Sequence, residues 1–116
     1  MLDIQTKKTF IAQCDDPLGT TDALINIGRY HFYATAFEKA NSLLIQQHAL
    51  QHEWLIIDEV GRLEMEGKGF YPALQKILRS VSSSNLLLVV RDSLREELIH
   101  CFAIKEPRII HNLEEI

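Results

Sequence analysis

Two short apolar runs, Trp54-Leu55-Ile56-Ile57 and the stretch at 86–90, constrain the fold more than anything else in this chain. Runs of this length are too short for helices of their own and suit strands covered on both faces. Between them Phe70, Leu74, Ile77, Leu78 and Val81 recur with a 3.6-residue period, and Pro72 falls where a first helical turn tolerates it. Strand, helix and strand in succession predict an α/β layered fold with a largely parallel sheet.

The flanking segments extend this pattern. Leu2-Asp3-Ile4-Gln5 and Phe10-Ile11-Ala12-Gln13 alternate around Thr6-Lys7-Lys8-Thr9, which predicts a hairpin and an antiparallel edge. Asp15-Asp16-Pro17-Leu18-Gly19 marks a loop, and Gly28-Arg29-Tyr30-His31-Phe32-Tyr33 reads as a strand. Thr35 with Glu38 has the spacing of a capping box, followed by Phe37, Ala40, Leu43 and Leu44 in a helix to about Leu50. Ser82-Ser83-Ser84-Asn85 breaks the second helix. Ser93 with Glu96 forms another capping box ahead of Leu94, Leu98, Ile99 and Phe102, and Arg108-Ile109-Ile110-His111 reads as a last strand.

A length of 116 residues predicts one domain, 1–116, able to bury a single core. The net charge of −4 supplies no basic face, so nucleic acid is not an expected partner. The apolar runs are far too short to span a bilayer. Cys14 and Cys101 stand alone, in no metal-ligand spacing, which fits a reducing, cytoplasmic setting.

The chemistry concentrates in Leu55-Ile56-Ile57-Asp58-Glu59-Val60-Gly61. Adjacent carboxylates at the end of a buried strand lie where α/β sheets place ligands. Alternation sends Asp58 and Glu59 in different directions, so one can orient a hydrated Mg²⁺ while the other addresses an attacking water. A solvated strand end that merely opens a loop is the plainer reading of the dipeptide alone.

The longer stretch from Asp58 through Arg62-Leu63-Glu64 and Gly67-Lys68-Gly69-Phe70-Tyr71-Pro72 resembles the Walker B region of the nucleoside-triphosphatase family of small P-loop NTPases. Gly28-Arg29-Tyr30 and Phe37-Glu38 are similar to further elements of that family, and the initial hairpin falls where the family has one. The resemblance implies a three-layer P-loop NTPase-like fold with a mostly parallel sheet. It implies a nucleoside triphosphate substrate, Asp58 as the Mg²⁺-associated acid, and Glu59 as the residue that polarises the hydrolytic water. It also places Arg62 near the nucleotide, although a solvated loop cation is an equal alternative. Glu64 suits a structural role, accepting loop amides.

No Gly-x-x-x-x-Gly-Lys-(Ser/Thr) occurs in the 116 residues. The nearest imitation, Gly61 to Gly69, has five residues before its second glycine and a glycine where the Mg²⁺-binding hydroxyl belongs. The expectation is therefore a domain lacking the N-terminal P-loop strand and helix. The resemblance implies that this strand lies between the stretches at 86–90 and 108–111, so three outcomes are open: these two pair directly, a homo-oligomer or partner subunit completes the sheet, or the N-terminal part exists as a separate or lost segment. Two functions follow as expectations. One is Mg²⁺-dependent hydrolysis conditional on a supplied P-loop; the other is a non-catalytic remnant that binds a partner or itself. His48 and His52 have metal-pair spacing but lack the zinc-protease Glu between them, and read as solvated helix-end histidines.

Overall fold

The computed structural model describes residues 2–3, 8–51, 53–80 and 85–115. Residues 4–7, His52 and residues 81–84 lie outside these, and with them the first half of the expected turn at 6–9 and the expected helix break at 82–84. Among the described residues the strands and α-helices follow in order: β1 (Leu2–Asp3), β2 (Lys8–Thr9), β3 (Leu24–Ile27), β4 (Tyr30–Tyr33), α1 (Ala34–Ala49), β5 (Trp54–Val60), α2 (Arg62–Met65), α3 (Tyr71–Arg79), β6 (Asn85–Val90) and α4 (Arg95–Cys101).

The α/β class holds. The two apolar runs form β5 and β6, a parallel pair in which Leu55 faces Leu86 and Ile57 faces Leu88. The helix α3 between them carries Ala73, Leu74 and Ile77 into the core. Leu55, Ile57 and Val60 meet these residues together with Leu98 of α4, and Leu44 and Ile45 of α1 pack against the same clusters. All three helices therefore use one face of the parallel pair.

The other face is a departure from the sequence-based expectation. Trp54 and Ile56 of β5 and Val89 of β6 are largely exposed, Ile56 at 59%. Their β-rich, apolar character reads like a doubly covered strand, but among the described residues they are covered only in part, Trp54 and Val89 bordering clefts that Arg108 and Ile110 also line.

A first hairpin is present, but its second strand is Lys8–Thr9, inside the expected turn and not at 10–13: Leu2 pairs with Thr9 and Asp3 with Lys8. The stretch after it pairs elsewhere. Cys14 donates to the carbonyl of His31 at 2.7 Å, and Tyr33 donates to that of Ala12 at 2.8 Å, so this segment extends the β3–β4 hairpin. Gly28 and Arg29 form the two-residue turn of that hairpin instead of beginning a strand, with Gly28 at φ +58°. That is the position where such turns favour glycine.

Neither capping box forms. Ala34 N–H bonds to Ala23 O as β4 ends, so α1 starts two residues early, with Tyr33 as its N-cap, and Thr35 lies inside the helix. Ser93 sits within a 3₁₀ turn, Asp92–Leu94, that precedes α4. The last expected strand is also absent: residues 108–110 have no ladder partner. Together with Pro107, His111 and Asn112 they form one wall of a cleft of about 700 Å³, and Leu86 through Val90 form the facing wall. A strand exists only by pairing, and the cleft separates this segment from β6.

Candidate functional site

β5 delivers its two carboxylates through a bulge. Ile57 pairs with Leu88 and Val60 with Val90, so three steps on β5 match two on β6. The extra residue resets the alternation. Leu55 and Ile57 are buried, Ile56 and Asp58 are exposed, Glu59 is exposed as well, and Val60 returns to the core at 1% exposure. The expected alternate departure of Asp58 and Glu59 thus becomes the exposure of both at the carboxyl end of the strand.

Glu59 is the strained residue of this bulge, at φ +58°. A side chain with a Cβ costs roughly 1–2 kcal/mol in this left-handed region, and such strain concentrates at functional sites and bulges. Replacing Glu59 by asparagine, which tolerates the region, should raise stability by about 1 kcal/mol. In a domain of this size that shifts the thermal midpoint upward by about 4 °C. A midpoint that stays put or falls in Glu59→Asn would mean that the bulge stores no strain.

After Gly61 the chain turns into α2, whose first residue is Arg62. The Arg62 side chain is exposed and has no ion pair or hydrogen bond among the described residues. Glu64, three residues after Gly61, is buried at 3%. Its Oε1 accepts the Gly61 N–H at 2.9 Å and its Oε2 accepts the Phe70 N–H at 3.4 Å. Burial raises its pKa above the ordinary carboxylate range, opposed by these two amide bonds. Glu64 therefore accepts loop amides, as its sequence position suggests, and fixes both ends of the loop that follows the bulge.

Two further residues complete this bracket. Gly69, at φ +61°, abuts the carboxylate so closely that a Cβ there would lie 2.2 Å from Glu64 Oε2. Asn41 of α1, buried at 8%, donates to the carbonyls of Phe37 and Gly69, both at 2.8 Å, and accepts the Ala73 N–H at 2.9 Å. Asn41 thereby ties α1 to the start of α3. Sequence reading passed over it; its signal was an asparagine on the apolar stripe of Phe37, Ala40 and Leu44.

The other flagged residues take plain roles. His48 Nε2 lies 2.7 Å from Ser80 Oγ, and that hydroxyl donates to Ile77 O at 2.8 Å. With its proton committed to a carbonyl, Ser80 accepts from the imidazole and is not a nucleophile awaiting a base. Cys14 and Cys101 are free thiols, the first buried and the second exposed.

Among the described residues no group of three or more His, Cys, Asp or Glu side chains converges as a metal cage. The donor set at the β5 terminus fits Mg²⁺ in another way. That ion keeps several waters and needs only one or two carboxylates besides substrate phosphates, and Asp58 offers one exposed carboxylate at a strand end.

Asp58 and Glu59 thus lie exposed at the carboxyl end of a parallel α/β strand, where such sheets place ligands, and a fixed loop backs them. A family model described as NTPase matches residues 1–115, and the chain belongs to this NTPase family. No curated protein and no solved structure matches the chain.

Proposed function

We propose that this chain contributes the carboxylate half of a nucleoside-triphosphate hydrolysis site, converting a nucleoside triphosphate to the diphosphate and phosphate once a P-loop is supplied. The observation that carries this reading is the strained bulge that exposes Asp58 and Glu59 at the carboxyl end of β5 in a chain of the NTPase family.

Glu59 orients a water against the terminal phosphorus and accepts its proton as the new oxygen–phosphorus bond forms. The bond from that phosphorus to the bridging oxygen breaks, and the diphosphate leaves. Asp58 would hold a hydrated Mg²⁺ through its carboxylate, and Arg62 contacts the terminal phosphate. Bound there, Mg²⁺ would offset the charge of the phosphates. Phosphoryl transfer depends chiefly on positioning and charge neutralisation, so these residues without a phosphate cradle give negligible turnover. The cleft between β6 and residues 107–112 offers the place for a P-loop strand. A strand there gives the sheet a third parallel member, and its helix gives the exposed face of Ile56 and Val89 a covering layer. The two unpaired thiols support a cytoplasmic setting.

The test is phosphate release from Mg-ATP and Mg-GTP in a preparation in which a P-loop is supplied, on the same polypeptide or by a second subunit. Glu59→Gln should lower kcat by about 10²–10⁴ while leaving nucleotide affinity nearly unchanged. Turnover equal to that of the unaltered protein overturns the assignment of Glu59. A second reading, a non-catalytic module that self-associates, is favoured by the exposed apolar face at Trp54, Ile56 and Val89. It predicts a dimeric native mass with no turnover under any of these conditions.

A further inference from the structure

The corner at the end of β5 has a neighbour that carries charge. Val60 and Val90 are the last paired residues of the parallel strands, so Gly61 and Arg91 leave the sheet next to each other at its carboxyl edge. The two exits lie close together. A Cβ built on Gly61 would lie 3.8 Å from Cδ1 of Leu94, in the 3₁₀ turn that follows Arg91. Leu94 is buried, and its N–H bonds to Arg91 O at 2.9 Å, which fixes the Arg91 backbone against the bulged corner.

The Arg91 side chain, by contrast, is uncommitted. Of the chain's arginines, Arg29 bonds to Tyr30, Arg95 pairs with Asp92 and Glu96, and Arg108 bonds to the Glu115 carbonyl. Arg62, Arg79 and Arg91 are exposed and have no ion pair or hydrogen bond among the described residues. Arg79 lies at the far end of α3, whereas Arg62 and Arg91 stand at the same sheet edge as Asp58 and Glu59. Asp92, the nearest acid in sequence to Arg91, is held by Arg95 at 2.8 Å. Two guanidinium groups beside two exposed carboxylates, with no ion pair formed between the sets, leave both cations free for an external anion.

We propose that Arg91 is a second phosphate-contacting residue of this site, acting from the β6 side on the terminal phosphate of a bound nucleoside triphosphate. The proposal rests on the hydrolase reading of the β5 corner. Arginine suits the task because its planar fork makes paired hydrogen bonds to phosphoryl oxygens and stays charged at any working pH. No existing interaction has to break for it to do so. Arg62 reaches the same anion from the turn after the strand that carries the acids, so the two cations act on it from the exits of adjacent strands.

The experiment measures Mg-ATP and Mg-ADP binding and phosphate release in the P-loop-supplied preparation, for the unaltered protein and three variants. Arg91→Ala should weaken Mg-ATP binding at least about tenfold, the loss expected for one charge-assisted bond, and leave Mg-ADP within about twofold. Arg91→Lys should recover only part of the loss, since it restores the charge without the fork. Arg79→Ala, an equally unpaired arginine elsewhere, should match the unaltered protein. Because Arg91 is exposed and unpaired, thermal midpoints should coincide across the set. Equal weakening of both nucleotides, or no weakening of either, overturns the role of Arg91. If turnover persists and still depends on Glu59 in that case, only this assignment falls. If the unaltered protein neither binds nor hydrolyses either nucleotide, the hydrolase reading fails and takes this one with it.

Discussion

Truncating Leu74 to alanine will lower the unfolding free energy by about 2–5 kcal/mol, the range seen when a fully buried leucine leaves a cavity. Leu74 is 0% exposed and packs in one cluster with Ile57, Val60 and Leu98, so it is where α3, β5 and α4 converge. Domains of ordinary stability have about 5–15 kcal/mol in total, so the loss is a large share. Denaturant unfolding of Leu74→Ala should show a lower midpoint with an unchanged slope. A cost under about 1 kcal/mol would mean that α3 is not seated on β5 as described. The placement matters for function because Val60, the residue directly after the strained Glu59, rests on this same contact.

The second large effect is expected at Gly69. Alanine there faces two obstacles, a left-handed φ of +61° and the Glu64 carboxylate at 2.2 Å from the new Cβ. The backbone strain alone is about 1–2 kcal/mol. Moving the carboxylate aside also strands the half-buried Gly61 and Phe70 amides, with an upper bound of about 1–3 kcal/mol for each. Gly69→Ala should therefore cost about 3 kcal/mol. Glu64→Ala strands the same amides, so the two losses overlap. The double variant should be at least about 1 kcal/mol more stable than the sum of the single effects predicts. Strict additivity in chemical denaturation would show that Gly69 and Glu64 do not share one site.

Periodicity made the main elements legible before any coordinates. β5, β6, α1 and α3 all follow from apolar spacing, and the order strand, helix, strand implies the parallel pair. Capping signals did worse, because they are local while helix starts here are set by long-range pairing. The bond from Ala34 to Ala23 starts α1 ahead of Thr35. The strand expected at 108–111 fails for a related reason: β propensity names a segment that suits a sheet, not one that finds a partner. The stretch at 24–27 is not legible because four residues, Leu-Ile-Asn-Ile, give too little alternation to read, and Gly28-Arg29 beside it reads as the start of a strand when it is the turn.

At the site, the acids and Glu64 were legible as chemistry but not as geometry. The bulge leaves one trace in the sequence, an apolar Val60 out of phase with Leu55 and Ile57. Asn41 and Arg91 left less. A polar residue on an apolar stripe and an arginine after a strand are common, and only burial, pairing and neighbouring contacts separate these two from the ordinary.

The bulge in β5 also divides labour within one strand. Ile57 and Val60 are the residues the core requires, and the ladder on β6 leaves room for only one residue between their partners. The second is surplus to the sheet. A chain built for stability alone would do without it and run straight from the parallel ladder into the turn. The position that the fold can spare is thus the one at which the polypeptide is free to carry a reactive group, and a whole extra residue has been kept there at a cost in strain.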